Sequence, residues 1–212
     1  YQTIATNLYI YTSSNFGQTW DTSGNQVLPS GTSYEFNTVA ISKANGQYQS
    51  GSVNNSSNVY INSNYGQGTW TSVYVANGSV SSGIAMSDSG QYQVLTSYNY
   101  DTILGGIFIS NNYGISGSWT QVTSDTSGVP GGNWGSVAMS SSGKYITAIL
   151  NSTNTVYVSN NYGRSGSWTQ AVNPTAASNV SMSSTGQYQI VFCDLMNYYN
   201  FVSTNYGVTW SS

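Results

Sequence analysis

The stretch Ser203-Thr204-Asn205-Tyr206-Gly207-Val208-Thr209-Trp210 decides the fold, because four further versions of it occur along the chain. Each version has Ser or Asn, one further residue, Asn, an aromatic residue and Gly, followed by a short spacer and Thr-Trp or Ser-Trp. We call it the Trp motif. Its copies are Ser13–Trp20, Asn62–Trp70, Ser110–Trp119, Ser159–Trp168 and Ser203–Trp210. Their tryptophans are 50, 49, 49 and 42 residues apart, and a period of this size is typical of repeat architectures.

A second motif alternates with the first, and we call it the Tyr motif. It consists of a short apolar strand, a Ser/Gly turn and a second strand that begins at a tyrosine. Its copies are Val39–Gln49, Ile84–Gln93, Val137–Ile146 and Val180–Gln189. A third strand-like segment precedes each Trp motif, and the Trp itself is predicted to begin a fourth strand. No segment has a convincing apolar period of 3.6 residues, so we expect almost no helix.

Four short antiparallel strands in every 42 to 50 residues are the pattern of a β-propeller blade. The sequence therefore predicts an all-β fold, a five-bladed β-propeller of four-stranded antiparallel blades. Residues 1–212 form one domain, with repeat hairpins around 8–21, 59–71, 107–120, 156–169 and 200–211. A β-solenoid is the weaker alternative, because solenoid repeats are usually about 20 to 30 residues long or shorter.

The Trp motif resembles the Asp box of sialidase-type propellers, Ser-x-Asp-x-Gly-x-Thr-Trp, and the resemblance covers the whole chain, once per blade. It implies that the motif is a structural hairpin between the third and fourth strands, away from the ligand face. The chain departs from the box by having Asn at the Asp position in every copy, although Asn can still bond to its own turn. The predicted structural residues are Asn15, Gly17, Trp20, Asn64, Gly66, Trp70, Asn112, Gly114, Trp119, Asn161, Gly163, Trp168, Asn205, Gly207 and Trp210.

The composition argues against several classes of function. Only 4% of the residues are charged, whereas a soluble domain usually has about 25%. Three basic residues cannot form a patch that neutralises phosphates, so we expect no nucleic-acid partner. The absence of His and the presence of one Cys, Cys193, predict no metal site and no cofactor, and Cys193 is expected to be a buried core thiol. No apolar stretch of about 18 residues occurs, so we expect no membrane insertion.

Catalysis is also not expected from the sequence. The resemblance to sialidases implies an arginine cluster and a tyrosine nucleophile assisted by an acid, but Arg164 is the only arginine and belongs to the fourth Trp motif. Hydrolysis by two carboxylates needs both acids in one pocket, and Asp101 and Asp194 belong to different blades. The sequence therefore predicts that the chain is not an enzyme.

Aromatic and polar residues in the loops between second and third strands, and between blades, form the predicted ligand or partner face. Rings beside amides and carboxylates suit a sugar, while the alternative is that the rings only fill space between blades. The candidates are Tyr34, Phe36, Tyr98, Tyr100, Asp101, Trp134, Asp194 and Tyr198. Sequons for N-glycosylation begin at Asn54, Asn55, Asn77, Asn151 and Asn179, although several would arise by chance in a chain so rich in Asn and Ser.

The first blade is predicted to lack one strand. Tyr1–Ala5 matches the second strand of a Tyr motif, but no first strand precedes it. Its unpaired edge would be a template for another chain, and we expect a neighbouring subunit to complete the blade. The low charge favours an extracellular structural subunit that assembles with copies of itself, at a cell or virion surface or in a filament. The alternative is a carbohydrate-binding lectin with sites between blades; a secreted chain would have lost its leader.

Overall fold

The computed structural model describes residues 1–21, 25–29, 31, 33–75, 80–99, 105–122, 129–193 and 199–212 of the chain. In these residues the regular secondary structure is entirely β-strand, as the sequence predicts. The strands are β1 Gln2–Ala5, β2 Tyr9–Ser13, β3 Asn25–Gln26, β4 Phe36–Ile41, β5 Gln49–Val53, β6 Asn58–Asn62, β7 Thr71–Tyr74, β8 Val80–Met86, β9 Gln93–Tyr98, β10 Ile107–Ser110, β11 Trp119–Val122, β12 Trp134–Met139, β13 Ile146–Leu150, β14 Thr155–Ser159, β15 Trp168–Gln170, β16 Ala177–Met182, β17 Gln189–Cys193 and β18 Phe201–Ser203.

These strands form five antiparallel sheets that follow one another in chain order. The second, third and fourth sheets are four-stranded, with the orders β4-β5-β6-β7, β8-β9-β10-β11 and β12-β13-β14-β15. The first sheet is β1-β2-β3 and has no counterpart of the first strand, which confirms that expectation for the described residues. The fifth sheet is β16-β17-β18, and in place of a fourth strand Ser211 makes a single bridge to Val202. Five sheets thus match the five predicted repeats.

Neighbouring sheets pack face to face along their inner strands. β8 contacts β4 on one side and β12 on the other, β12 also contacts β16, and β1 contacts β4. Backbone hydrogen bonds connect the turns after the first strands: Ala44 N donates to Asp88 O, Asp88 N to Ser141 O, and Ser141 N to Ser184 O, at 2.8 to 3.0 Å. The second, third, fourth and fifth sheets are therefore joined in series by backbone hydrogen bonds as well as by side-chain contacts.

The second strands lie at the centre of this packing. Every residue of β5 and β13, and all but the last residue of β9, are buried, because another sheet covers each face. The largest core cluster contains Trp134, whose ring meets that of Tyr157 edge to face at 5.2 Å. Burial of large apolar side chains such as these stabilises the fold by about 1.5–3 kcal/mol each.

The Trp motif forms the hairpin between the third and fourth strands, and in the first and fifth copies its Asn holds the turn. In the first copy Asn15 Oδ1 accepts a 2.9 Å bond from Thr19 N, and Asn15 Nδ2 donates to Thr19 Oγ1 at 2.7 Å. In the third copy, the indole nitrogen of Trp119 donates to the carbonyl of Gly114 at 2.8 Å, which closes that turn. The Trp begins the fourth strand only in β11 and β15, so this part of the sequence prediction holds for two copies.

Candidate binding grooves between the sheets

A pair of aromatic rings joins each sheet to the next. The tyrosine that directly precedes the second strand of one sheet contacts the aromatic residue in the Trp motif of the following sheet. The ring centroids are 5.2 Å apart for Tyr1 and Tyr65, 4.4 Å for Tyr48 and Tyr113, 4.7 Å for Tyr92 and Tyr162, and 4.5 Å for Tyr145 and Tyr206. We call these the tyrosine pairs. Aromatic pairs at such distances contribute about 0.5–1.5 kcal/mol beyond the area that they bury.

The Trp motif sets the position of its tyrosine through an uncommon backbone conformation. Tyr113 has φ 56°, and its amide donates to the carbonyl of Gln91 at 2.9 Å in the adjacent turn of the same sheet. The equivalent residue of every copy also has positive φ, including Phe16 at 59°. Left-handed φ costs an L-residue roughly 1–2 kcal/mol, and hydrogen bonds within the turn must offset this cost, because Phe16 has the same conformation with an exposed ring. The left-handed positions are the aromatic residue and the Gly, and not the Asn.

A glycine in the next sheet allows each tyrosine of a pair to approach closely. A Cβ atom added at Gly90 would lie 2.6 Å from the Cβ of Tyr48, and the same holds at 2.7 Å for Gly143 and Tyr92. No real Cβ contact is so short. The Gly of the Tyr motif is therefore required for the contact between sheets.

Buried polar side chains lie beside the tyrosine pairs. Ser50 Oγ donates to Gln93 Oε1 at 2.8 Å across two sheets, and Gln93 Nε2 donates to the carbonyl of Gly90 at 3.2 Å. Thr147 and Gln189 repeat the first bond at 2.7 Å. Between the third and fourth sheets the pattern is apolar, because Ile146 takes the Gln position and Val94 of the third sheet lies in the same buried cluster. Polar residues thus face polar residues, and apolar residues face apolar ones.

A groove opens beside each tyrosine pair, between the Trp motifs of adjacent sheets. The four grooves have volumes of about 460, 250, 490 and 680 Å³ in chain order. In the third groove, the rings of Tyr92 and Tyr162 lie beside the polar side chains of Asn111, Gln121 and Arg164. The tyrosines of the four pairs are half-buried, apart from the more exposed Tyr1 and Tyr206, so ring surface remains accessible.

The grooves carry little charge. Asp21 lines the first groove, Arg164 the third and Lys144 the fourth, whereas the second has no charged side chain among its lining residues. Hydroxyl and amide groups supply the remaining polar atoms, together with the aromatic rings. Such a surface offers donors, acceptors and ring faces to a ligand that carries no net charge.

The predicted ligand-face residues have different fates. Trp134 is fully buried in the core, so its ring is not available to a ligand, and this corrects the sequence interpretation. Phe36 is half-buried and packs edge to face on Tyr60 at 5.9 Å, as a residue that fills space does. Tyr34 is exposed and Tyr98 half-buried. The remaining candidates lie outside the described residues: Tyr100, Asp101, Asp194 and Tyr198.

The sequons and the cysteine are also located. Asn54 Oδ1 accepts a 2.7 Å bond from Glu35 N, and Asn179 Oδ1 accepts one of the same length from Ser136 Oγ. Asn55 and Asn151 are exposed, whereas Asn77 lies outside the described residues. Cys193 is half-buried and packs against the core cluster that contains Val191, with its Sγ 3.2 Å from the carbonyl of Thr175, so the expectation of a buried core thiol holds only in part.

Metal-ligating side chains do not cluster in the part of the chain that the structure describes: no three His, Cys, Asp or Glu residues come together there. The same residues contain no helix that could cross a membrane.

The sheet arrangement defines the class of fold as a β-propeller, and known structures share it. A GH74 enzyme from Niastella koreensis matches 95% of this chain and 34% of its own, with a TM-score of 0.68 and 16% identity. The GH74 xyloglucanase of Xanthomonas campestris matches 96% of this chain and 39% of its own, with a TM-score of 0.54 and 10% identity. The β-propeller domain of Cps50 (Swd1) from Myceliophteria thermophila matches 92% and 63%, with a TM-score of 0.60 and 12% identity.

The similarity at these identities concerns the fold alone. The chain spans little more than a third of the length of either GH74 protein. Its sequence matches no family model and no curated protein.

The comparisons contradict the prediction that the chain is not an enzyme, because two of the matched structures are GH74 glycoside hydrolases. That prediction treated 212 residues as if they had to contain a complete set of catalytic acids. Since the chain spans little more than a third of either hydrolase, the scarcity of carboxylates in it excludes nothing at the level of the fold.

Proposed function

We propose that the five sheets are five blades of a β-propeller that is open between the first and fifth sheets, and that the grooves between adjacent blades bind a neutral polysaccharide. One observation carries this proposal: the same groove, with a tyrosine pair beside hydroxyl and amide groups, occurs four times in succession. Four repeated sites suit a ligand that is itself a repeating chain, because linked binding events gain avidity. An extracellular location, predicted from the low charge, belongs to the same proposal.

The chemistry of the grooves supports a neutral glycan in particular. A sugar ring has an apolar face of C–H groups, which packs on an aromatic ring, and a rim of hydroxyls, which need donors and acceptors. In the third groove, Tyr92 and Tyr162 offer the rings, and the exposed amides of Asn111 and Gln121 offer the hydrogen bonds. Since a neutral ligand carries no charged group, binding does not require the desolvation of an ion on the ligand.

The comparisons supply a first ligand to test. One matched structure is a xyloglucanase, and xyloglucan is a neutral polysaccharide. A xyloglucan oligosaccharide is therefore the probe of choice, and oligogalacturonate of similar length is the charged comparator.

Isothermal titration calorimetry tests the proposal. We expect binding of the xyloglucan oligosaccharide and much weaker binding of oligogalacturonate. In the double variant Asn111→Ala/Gln121→Ala the third groove loses two amides, and each lost hydrogen bond costs about 0.5–1.5 kcal/mol. Affinity in that groove should fall roughly 5- to 100-fold, because about 1.4 kcal/mol corresponds to a factor of ten.

The matched control removes the same two residue types elsewhere. Asn7 and Gln18 are exposed and line none of the four grooves, so Asn7→Ala/Gln18→Ala should bind like the wild type. Equal losses of affinity in both double variants would contradict the assignment. An affinity that stays unchanged in Asn111→Ala/Gln121→Ala would also contradict it. Reducing ends released during the titration would show that the chain also cleaves the ligand.

Self-association is a second candidate function, and a separate observation favours it. Apolar side chains are exposed at both ends of the series of blades, most notably Phe16 in the first sheet and Tyr188 in the fifth.

A further inference from the structure

The second strand of each inner sheet presents alternate residues to its two neighbours. In the second sheet, Tyr48 and Ser50 face forward and contact Tyr113 and Gln93 of the third sheet. Gln49, between them, faces back and accepts a 3.3 Å bond from Thr12 of the first sheet. This alternation follows from the two-residue period of a strand. It assigns a forward face and a rear face to every sheet.

The forward face of the fifth sheet has no sheet in front of it among the described residues. Tyr188 and Phe192, at the positions equivalent to Tyr48 and Ser52, are 55% and 43% exposed, and Val202 on the neighbouring strand is 41% exposed. Ile190 lies between Tyr188 and Phe192 on this face and is half-buried. The corresponding residues of the inner sheets are covered. The fifth sheet therefore ends in an apolar surface.

The rear face of the first sheet is uncovered in the same way. Ile4 of β1 is 46% exposed and Phe16 is 88% exposed, while Gln2 on the same face is also exposed. Phe16 occupies the position of Tyr65, Tyr113, Tyr162 and Tyr206, each of which pairs with a tyrosine of the preceding sheet. Its φ of 59° shows that the backbone adopts the pairing conformation. Among the described residues, Phe16 therefore has the conformation of its paired counterparts with its ring exposed.

We infer that the forward face of one copy of the chain packs on the rear face of a second copy, with Tyr188 against Phe16. The occupant is a second copy because the two faces are the halves of an interface that the chain itself forms four times between its sheets. The contact joins different surfaces of the two copies, so it is heterologous and builds a ring or an open filament. This head-to-tail contact covers faces and does not require the strand addition at Tyr1–Ala5 that the sequence predicts.

One position of this interface is mismatched. The forward residues Ser50 and Thr147 meet Gln, whereas Val94 shares a buried cluster with Ile146. In the head-to-tail contact the apolar Ile190 faces Gln2, whose amide would be buried without a donor. Leaving a polar group unpaired weakens association, so Gln2→Ile should tighten it by about 5- to 100-fold.

Sedimentation velocity across a concentration series tests the inference, together with complementation between variants. Phe16→Glu damages only the rear face and Tyr188→Glu only the forward face. We expect the wild type to grow in mass with concentration and each variant alone to stay monomeric. An equimolar mixture of the two variants should form a dimer through its one intact pair of faces.

The control Val172→Glu changes a side chain that is 93% exposed and lies on neither face, and it should associate like the wild type. Equal melting temperatures of the variants exclude unfolding as the cause. A wild type that stays monomeric up to several hundred micromolar overturns the inference, and so does a mixture that fails to dimerise. Association that survives both Glu substitutions and protects the amides of β1 from hydrogen exchange indicates strand addition, which also overturns it.

Discussion

The ring centroid of Tyr48 lies 4.4 Å from that of Tyr113 in the next sheet, and Gly90 of that sheet also packs closely against Tyr48. The same three-residue contact recurs at each boundary between neighbouring sheets. The two motifs of the sequence are thus the two sides of one interface, since the Tyr motif supplies the first tyrosine and the glycine, and the Trp motif supplies the second tyrosine.

Substitution of the glycine measures this contact. Gly90→Ala places a methyl group 2.6 Å from the Cβ of Tyr48, and Gly68→Ala, at a similar φ of 72°, meets no atom within 4 Å. Both pay the backbone cost of about 1–2 kcal/mol. We expect Gly90→Ala to lower the free energy of unfolding in urea by a further 1–3 kcal/mol, roughly the usual cost of overpacking. Equal losses in the two variants would show that Tyr48 is not tightly packed.

The buried polar contact between Ser50 and Gln93 can be tested by replacing both residues with apolar ones. Ser50→Ala leaves Gln93 Oε1 without its donor and should cost about 1–3 kcal/mol in the free energy of unfolding. The double variant Ser50→Val/Gln93→Ile installs the residue types found at Val94 and Ile146 and should recover at least half of that loss. Additive destabilisation in this double-mutant cycle would mean that the two positions do not act as a pair.

Replacement of the Trp-motif Asn by Asp tests how far the chain resembles an Asp box. A carboxylate at position 15 can accept the bond from Thr19 N, and the Thr19 hydroxyl can rotate to donate to it. Asn15→Asp should therefore change stability by less than about 0.5 kcal/mol, whereas Asn15→Ala should cost about 1–2 kcal/mol. Thermal melting of both variants measures these changes in stability. A large loss for Asp would show that the amide nitrogen is essential to the turn.

Stability should fall at high pH because of Tyr157. Burial raises the pKa of its hydroxyl, and a hydrogen bond with Thr155 lowers it by a smaller amount. Above about pH 10, the ordinary tyrosine value, the unfolded chain loses this proton while the folded chain keeps it. The stabilisation is complete below that pH and disappears as the pH rises through the folded pKa.

Urea unfolding between pH 8 and 11 checks this prediction, with Tyr157→Phe as the control. The wild type should lose more stability over this range than the variant, which has no hydroxyl at this position. Parallel losses would assign the alkaline sensitivity to the other tyrosines.

Much of the fold is predictable from the sequence because the two motifs repeat with nearly constant spacing. The Trp motif predicts a hairpin turn, the short apolar segments predict the strands, and Tyr1–Ala5, which matches a second strand, predicts a first sheet without a first strand. The prediction for Trp134 was wrong. Its position outside the Trp motif suggested a ligand contact, but this position carries no information about whether the side chain is buried. Its ring is in the core.

The grooves were not predicted, although the signal was present. The aromatic residue of the Trp motif is Tyr or Phe in every copy, and a tyrosine directly precedes every second strand. Neither pattern reveals that the two residues belong to different sheets, since that depends on how the sheets face each other. The positive φ of Tyr113 is not predictable from its residue type either, because a tyrosine alone does not favour it.

A crystal structure of the chain soaked with a xyloglucan oligosaccharide tests the proposed function most directly. We predict sugar density in the grooves between blades, with a sugar ring against the Tyr92 and Tyr162 pair and hydroxyls within hydrogen-bond distance of Asn111 or Gln121. Sugar bound only at the opposite end of the sheets, near Tyr34 and Tyr98, would contradict the account, as would crystals that bind none at saturating concentration.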